Sequence, residues 1–573
     1  MTNYYFSYKN ASTQYVDIEV TIQAGGVNML SLQLPAWRPG RYELGNFAKN
    51  IRNFTVVDLQ GNTLAFEKVT KDCWEVETNG AETITVKYSY YANQLNAGST
   101  WLDSTQLYVN PVNCCVYVAG MENYPCRVEV DVPRNYKLAC GEKHTEEFSD
   151  TGVKLIFETE DFDRLADTPF IASGSMKHDS YEEAGTLFHL WFVGECKPHF
   201  DKIKSDFKAF TAKQLEVMGS IPVKEYHFYF QILPTPFHHG VEHLTSTVIG
   251  LGPSYKLMMG DVYEDFLGVS SHELFHVWNI KTIRPAEMLP YDFTGENYFT
   301  TGFVAEGVTT YYGDTFLLRS KVFSNDTYFA LLADTIKRHY HNYARYSYSV
   351  AASGFDTWLD GYVPGVPHRK VSIYNEGCLL AFALDVQIRK HSHNQHSLDD
   401  VMRRLYEDFG LKNRGYSAND YKALAEVAAG VSFDDFFTDY IFGTKPYNDI
   451  LTESLAYLGL ELVEKPSAQY NERVFGFKTD SGKVAIVAPH SPAEKAGLMI
   501  GDSLVAVNGY TGSFNDWFNY FACETVKLTV NTGGVLRDVM LHPCKEQYYP
   551  TYSIKMLENS TAEQLEAFER WSS

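Results

Sequence analysis

Ser271-His272-Glu273-Leu274-Phe275-His276-Val277-Trp278-Asn279 is the stretch from which the rest of this chain is read. Two histidines four residues apart lie one above the other on a helix face, so both imidazoles reach a single metal ion. Zinc suits that pair, and Glu273 is placed to take a proton from a water beside the metal and later return it. This is the pattern of zinc peptidases. A helix with two ordinary polar residues is the competing reading in a chain with 18 His. The flanks argue against it. Residues 261–268 mix acidic and apolar side chains at helical spacing, and Phe275 and Val277 supply the apolar face of a buried helix.

A catalytic zinc takes three protein ligands and keeps one position open. The candidates after His276 are Glu287, Asp292, Glu296 and Glu306. Residues 304–311 read as a helix, and a rigid helix holds a ligand better than a loop does. Glu306 is therefore the preferred third ligand, with Glu296 behind it.

At 573 residues the chain is long enough for three or four domains. Its 45% hydrophobic and 21% charged content is that of an ordinary globular protein, with 40 Tyr and 37 Phe promising thick aromatic packing. A net charge of -22 excludes the basic footprint that a nucleic acid partner requires. Nine cysteines, odd in number and without Cys-x-x-Cys spacing, read as reduced thiols and point to the cytoplasm. The start carries no signal-peptide pattern, although a mature periplasmic or secreted form would look the same. No apolar run reaches the roughly 20 residues of a transmembrane helix.

Along the chain, Tyr15-Val16-Asp17-Ile18-Glu19-Val20-Thr21-Ile22 alternates by twos, as do the stretches around Val86 and Val130. Half-buried antiparallel strands follow from that period, so residues 1–165 are expected to form a β-sandwich-like domain. A rigid loop, Leu34-Pro35-Ala36-Trp37-Arg38-Pro39-Gly40-Arg41-Tyr42, interrupts it. Residues 166–460 read as the catalytic domain: a mixed lobe with a helix near 202–218 and a strand at 227–233, then a helical lobe. Its helices are expected at 303–318, at 375–390, from Ser397, at 417–429 and at 432–441, with Asp399 and Asp400 favourable in a first turn. Residues 470–545 revert to short strands and form a separate small domain. Residues 546–573 are a tail with an amphipathic helix near 561–571, which either docks back or frays.

His272-Glu273-Leu274-Phe275-His276, then Trp278-Asn279-Ile280-Lys281-Thr282-Ile283-Arg284-Pro285, Glu296-Asn297-Tyr298, Glu306-Gly307 and Tyr311-Tyr312-Gly313-Asp314 together resemble the glycyl aminopeptidase family of PDZ-containing zinc metallopeptidases. Residues 34–51, 261–319 and 371–389 also follow that family's pattern, so the resemblance spans nearly the whole chain. It implies a multidomain α+β protein with a thermolysin-like (gluzincin) core, one Zn2+ on His272, His276 and Glu306, and removal of N-terminal residues, preferably glycine or alanine. An aminopeptidase must hold a free α-ammonium, for which a carboxylate is the simplest anchor. The Gly-x-x-Glu string of related enzymes carries over to Gly240 and Glu242, where the spacing is one residue shorter. Gly120-Met121-Glu122-Asn123 looks more like that string, but it lies in the β domain and Glu122 is read as a loop residue. Tyr374 resembles the tyrosine that assists the oxyanion, although Glu376 stands where the usual lysine does. Arg284 either braces the site or binds substrate. His391, His393 and His396 suggest a second metal less than a polar loop between helices. Val474-Phe475-Gly476-Phe477, Ser491-Pro492-Ala493-Glu494-Lys495-Ala496-Gly497-Leu498 and residues 501–509 look like a PDZ domain, whose groove takes a peptide C-terminus.

Two rival functions follow from the same residues. One is a zinc endopeptidase with the same core, in which Glu242 meets no terminal amine. The other is a PDZ-bearing peptide-binding scaffold with an idle zinc site, which the complete set of base and ligands argues against.

Overall fold

The computed structural model describes residues 1–150, 152–362 and 366–573. The chain divides into two compact units: residues 1–322, 354–363 and 398–428 form the first, and residues 323–353, 364–397 and 429–573 the second.

The first unit opens with a β-rich domain. Its largest sheet has seven strands, in the order His144–Phe148, Val153–Thr159, Cys126–Val132, Thr2–Ser7, Tyr15–Gln23, Thr83–Tyr91 and Ile51–Asp58. Tyr15–Gln23 alternates without a break between partly exposed and buried residues, and Val16, Ile18, Val20 and Ile22 all face the core. Burying each of these aliphatic side chains contributes about 1.5–3 kcal/mol. Two four-stranded sheets complete the domain, one led by Met29–Gln33 with Cys73–Glu77, the other by Gln106–Val109 with Phe170–Ser173.

A five-stranded sheet follows, ordered Lys177–Glu183, Thr186–Val193, Glu225–Ile232, Ser246–Gly252 and Phe237–Glu242. The three central strands run parallel, and Phe237–Glu242 closes one edge antiparallel to Ser246–Gly252. Parallel strands need cover, and Glu225–Ile232 is correspondingly buried along nearly its whole length. The helices Phe200–Met218 and Gly260–Phe275 belong to this layer. The first begins two residues earlier than its periodicity predicts, because the His199 ring accepts from Lys202 N at 3.2 Å and caps it. The helix expected over 303–318 is present in two parts, a π-helical turn at Phe303–Val308 and an α-helix at Thr309–Arg319. No periodicity signals that wide turn.

The second unit contains the helices Asn325–His341, Ile373–His391, Asn448–Tyr457 and Ala562–Trp571. The expected fifth helix of the lobe reduces to a short turn, Asp434–Phe436, continued as the π-helical Phe437–Ile441. A C-terminal sheet of five strands, Phe477–Asp480, Lys483–Val487, Ser503–Val507, Val526–Thr532 and Val535–Leu541, surrounds a core of Phe475, Phe477, Phe518 and Leu528. The tail docks within this unit. Thr551–Met556 pairs with Leu460–Lys465, Thr561 and Gln564 form a capping box, and Trp571 packs fully buried against Tyr328 and Phe382. No helix among the described residues is long and apolar enough to cross a membrane.

Candidate active site

His272 lies in the last turn of the helix Gly260–Phe275, and His276 follows as its C-cap. The helix is seated by Gln214, which donates to the Ser271 carbonyl at 2.8 Å, and by the close approach of Gly313, where a methyl group would lie 3.1 Å from His272 Cβ. Asn279, fully buried, ties this segment to the next one by donating to the Val304 carbonyl at 2.8 Å and to Thr309 at 3.0 Å. Glu306, on the π-helical turn, is thereby brought beside both histidines. Its Oε2 lies 3.5 Å from His276 Nε2 and 3.8 Å from His272 Nε2, and the two ring nitrogens are 3.0 Å apart.

These spacings fit a zinc ion. Bonds of about 2.0–2.1 Å in a tetrahedron place ligand atoms roughly 3.3 Å from each other. The tautomer also fits. His276 donates its Nδ1–H to the Asn279 carbonyl at 2.5 Å, so Nε2 is the nitrogen turned inward and offers its lone pair once a metal displaces its proton. Carboxyl groups crowd the centre: Glu242, Glu273 and Glu306 are all buried there. Burial, with the Glu242 and Glu306 carboxylates adding to it and the His276 ring opposing, pushes the Glu273 carboxyl up to about 8. Burial alone would lower the His276 imidazole, but Glu242 and Glu306 raise it to about 10. Inward-turned ring nitrogens among these carboxyl groups are the complement of a dication.

Glu273 lies against the edge strand Phe237–Glu242. Any side chain at Gly240 would overlap its carboxylate, which is the physical reason for glycine there. Two residues on, Glu242 is 4% exposed, and its Oε1 has no hydrogen-bond partner among the described residues. The strand is pinned just beyond this point. Asp167 takes the His243 ring at 3.0 Å, Leu244 N at 2.8 Å and the Lys281 ammonium at 2.8 Å.

The first unit therefore brings together His272, His276, Glu306, Glu273, Gly240 and Glu242. Tyr374 stands in the first turn of Ile373–His391, which belongs to the second unit. Glu296, Asp292 and Glu287 are exposed. Arg284 lies over the Tyr291 ring at 4.0 Å, and its carbonyl accepts from Tyr416 N. Glu122 accepts from Gly120 N in a loop of the β domain. His391, His393 and His396 belong to none of the metal-compatible groups found among the described residues.

A different trio, His189, Glu225 and His227, does converge, yet it does not fit a metal. Trp191 donates to His227 Nδ1 at 3.1 Å, which leaves the neutral ring's proton on Nε2 and no lone pair to offer. Sequence reasoning missed Tyr42, which donates to Glu306 Oε1 at 2.8 Å from the far end of the chain. The signal was the rigid loop that ends at that residue.

A helix end with two histidines, a carboxylate beside them as third donor and a buried glutamate between them in sequence is the donor set of a metallopeptidase. The Peptidase M61 N-terminal domain matches residues 3–174, and the M61 glycyl aminopeptidase domain matches residues 265–380. The chain belongs to the M61 glycyl aminopeptidase family. No curated protein sequence matches it significantly. Among solved structures, an aminopeptidase N family protein from Idiomarina loihiensis is 24% identical over 100% of both chains, with a TM-score of 0.91, and shares the fold. An M1 zinc metallopeptidase from Deinococcus radiodurans is 12% identical over 78% of this chain and 94% of its own, with a TM-score of 0.49.

Proposed function

We propose that this metallopeptidase is a zinc-dependent aminopeptidase that removes single N-terminal residues from peptides, with His272, His276 and Glu306 as ligands of one zinc ion. The observation that carries the reading is the buried, unpartnered Oε1 of Glu242 beside the ligand trio. A buried carboxylate oxygen without a donor is costly unless a ligand supplies one, and an α-ammonium does so.

When bound, the zinc ion supplies Lewis acidity, polarising the scissile carbonyl and lowering the pKa of water. Glu273 takes the proton of the attacking water and delivers it to the departing amine nitrogen. The strand Phe237–Glu242 is the sheet edge, so its main chain is available to pair with the substrate backbone, and Gly240 allows that backbone to pass close to Glu273. Glu242 holds the ammonium and sets the cut one residue from the N-terminus. Tyr374 is assigned the oxyanion, with its hydroxyl as the donor. A glycine or alanine preference comes from the family.

The same proposal extends to the architecture. Residues 1–165 read as a sandwich-like β domain, 166–460 as the thermolysin-like core, 470–545 as a PDZ-like domain and 546–573 as a tail. For the PDZ-like part, the support is an edge strand, Phe477–Asp480, with Phe518 of the helix Phe514–Tyr520 packed 5.9 Å from both Phe475 and Phe477. A peptide C-terminus fits a groove between such a strand and helix. Nine cysteines without Cys-x-x-Cys spacing, six of them buried, support a reducing, cytoplasmic setting.

Paired substrates test the central reading. Glycyl- and alanyl-arylamides are expected to be cleaved and their N-acetyl forms left intact, whereas cleavage of the blocked forms would make the protein an endopeptidase.

A further inference from the structure

We propose that the loop Trp37 to Tyr42 of the N-terminal β domain positions two of the three working carboxylates of the peptidase site, Tyr42 fixing Glu306 and Gly40 fixing Glu242. The proposal rests on the assignment of those two glutamates given above.

The loop is rigid. Arg41 N donates to the Arg38 carbonyl at 3.3 Å, Pro39 takes the second position of the turn, and Gly40 takes the third with φ +80. That is a type II turn, which requires a positive φ at its third position. Trp37 anchors it from one side. Its indole is fully buried, donates to the Asp292 carbonyl at 2.7 Å and meets Trp358 edge-on at 5.0 Å. Ala36 N adds a bond to the Phe293 carbonyl at 2.7 Å. On the other side the Arg38 guanidinium lies across Gly98, where any side chain would overlap it.

Two contacts run from this loop into the site. Tyr42 is 1% exposed, its ring packs on Phe299 at 5.0 Å, and its hydroxyl donates to Glu306 Oε1 at 2.8 Å. One carboxylate oxygen is thereby held, and the other is aimed at the two histidines. Outer partners of this kind commonly account for 10–100-fold in metal affinity. Gly40 bears on the second carboxylate. A methyl group there would lie 2.5 Å from Glu242 Oε2 and 3.0 Å from Cδ, so the carboxylate is seated directly on the glycine backbone. The turn is thus the floor behind the amine anchor, and the β domain is part of the site.

Two substitutions in the full-length protein separate the two contacts. Tyr42→Phe keeps the ring packing and removes only the hydroxyl. Competition with a chromophoric chelator is expected to show its zinc Kd raised 10–100-fold, with an unchanged circular dichroism spectrum. Gly40→Ala is expected to raise KM for alanyl-arylamides tenfold or more while zinc affinity stays at the wild-type value. Wild-type zinc affinity in Tyr42→Phe, or wild-type KM in a folded Gly40→Ala protein, would overturn the corresponding half of the proposal. If Gly40→Ala does not fold, Gly40→Asn, which tolerates positive φ better, is read the same way. Failure of the wild type itself to bind zinc would instead overturn the ligand assignment on which the proposal rests.

Discussion

His276 donates its Nδ1–H to the carbonyl of Asn279 at 2.5 Å and so presents Nε2 3.0 Å from Nε2 of His272. Two ring nitrogens at that distance need either a proton or a metal ion between them, and a zinc ion takes the place of that proton. Loading with zinc is therefore expected to stabilise the protein against heat, by about 2.7 kcal/mol at a hundredfold excess over Kd. His276→Gln removes one of three ligands and is expected to abolish both the bound zinc and the stabilisation. Zinc content by emission spectrometry and thermal melts with and without the ion check this.

Asn279 couples the segments that carry His276 and Glu306 through its side chain as well. Asn279→Ala leaves the Val304 carbonyl and the Thr309 hydroxyl without their donor in a buried setting. The expected cost is about 1–3 kcal/mol of stability. Denaturant titration measures it, and a parallel zinc titration should show weaker binding, since Glu306 is then less firmly placed.

Lys281 and Asp167 form a buried ion pair that locks the end of the Glu242 strand to the segment after His276. Burial would raise the Asp167 carboxyl, but Lys281, His243 and Arg164 outweigh it and hold the group well below the usual carboxylate range. A carboxylate depressed in the folded state adds stability above its unfolded pKa of about 4, and that stability is lost as the pH falls. Lys281→Met leaves the buried Asp167 charge without its closest cation and is expected to cost up to about 3–5 kcal/mol. Its acid-unfolding midpoint should also move to higher pH, which a pH series of circular dichroism readings would show.

In the second unit His341 is held neutral. Its Nε2–H donates to the Pro550 carbonyl at 2.8 Å and its Nδ1 accepts from Lys478 at 2.7 Å, while burial and then the Lys478 charge lower it to about 4. The unfolded chain binds a proton near pH 6.5 that the folded ring refuses until about pH 4. Stability of this unit should therefore be flat above pH 6.5 and fall between there and pH 4. His341→Gln should flatten that slope, as read from thermal melts across the window.

Much of the site could be read from residue types at fixed spacing. His272 and His276 share a helix, Glu306 lies 30 residues on in a helical stretch, and the structure brings all three together. The alternating strands and the 3.6-residue helices were legible for the same reason, since each buries one face. What periodicity cannot encode is a partner far away in sequence. Tyr42 precedes Glu306 by 264 residues, and nothing local marks it as that residue's hydrogen-bond donor. Likewise Gly240 carries no side chain to read, and its meaning is the space it leaves for Glu273. The π-helical turn under Glu306 is set by tertiary packing. Glu376, which departs from the family's lysine, has its own local reason. It pairs with the buried His339 ring at 2.7 Å, and that ring stacks on Tyr447 at 4.4 Å, so the carboxylate is the ring's partner in a buried cluster.

The most direct test of the account is hydrolysis of a free-amine alanyl-arylamide by the wild type and by Glu273→Gln, with zinc counted in both. The expected result is one zinc per chain in each protein, cleavage by the wild type alone and a rate at least a thousandfold lower in the variant. Retained activity in a zinc-loaded Glu273→Gln protein would contradict the assignment of Glu273 as the base on which the mechanism stands.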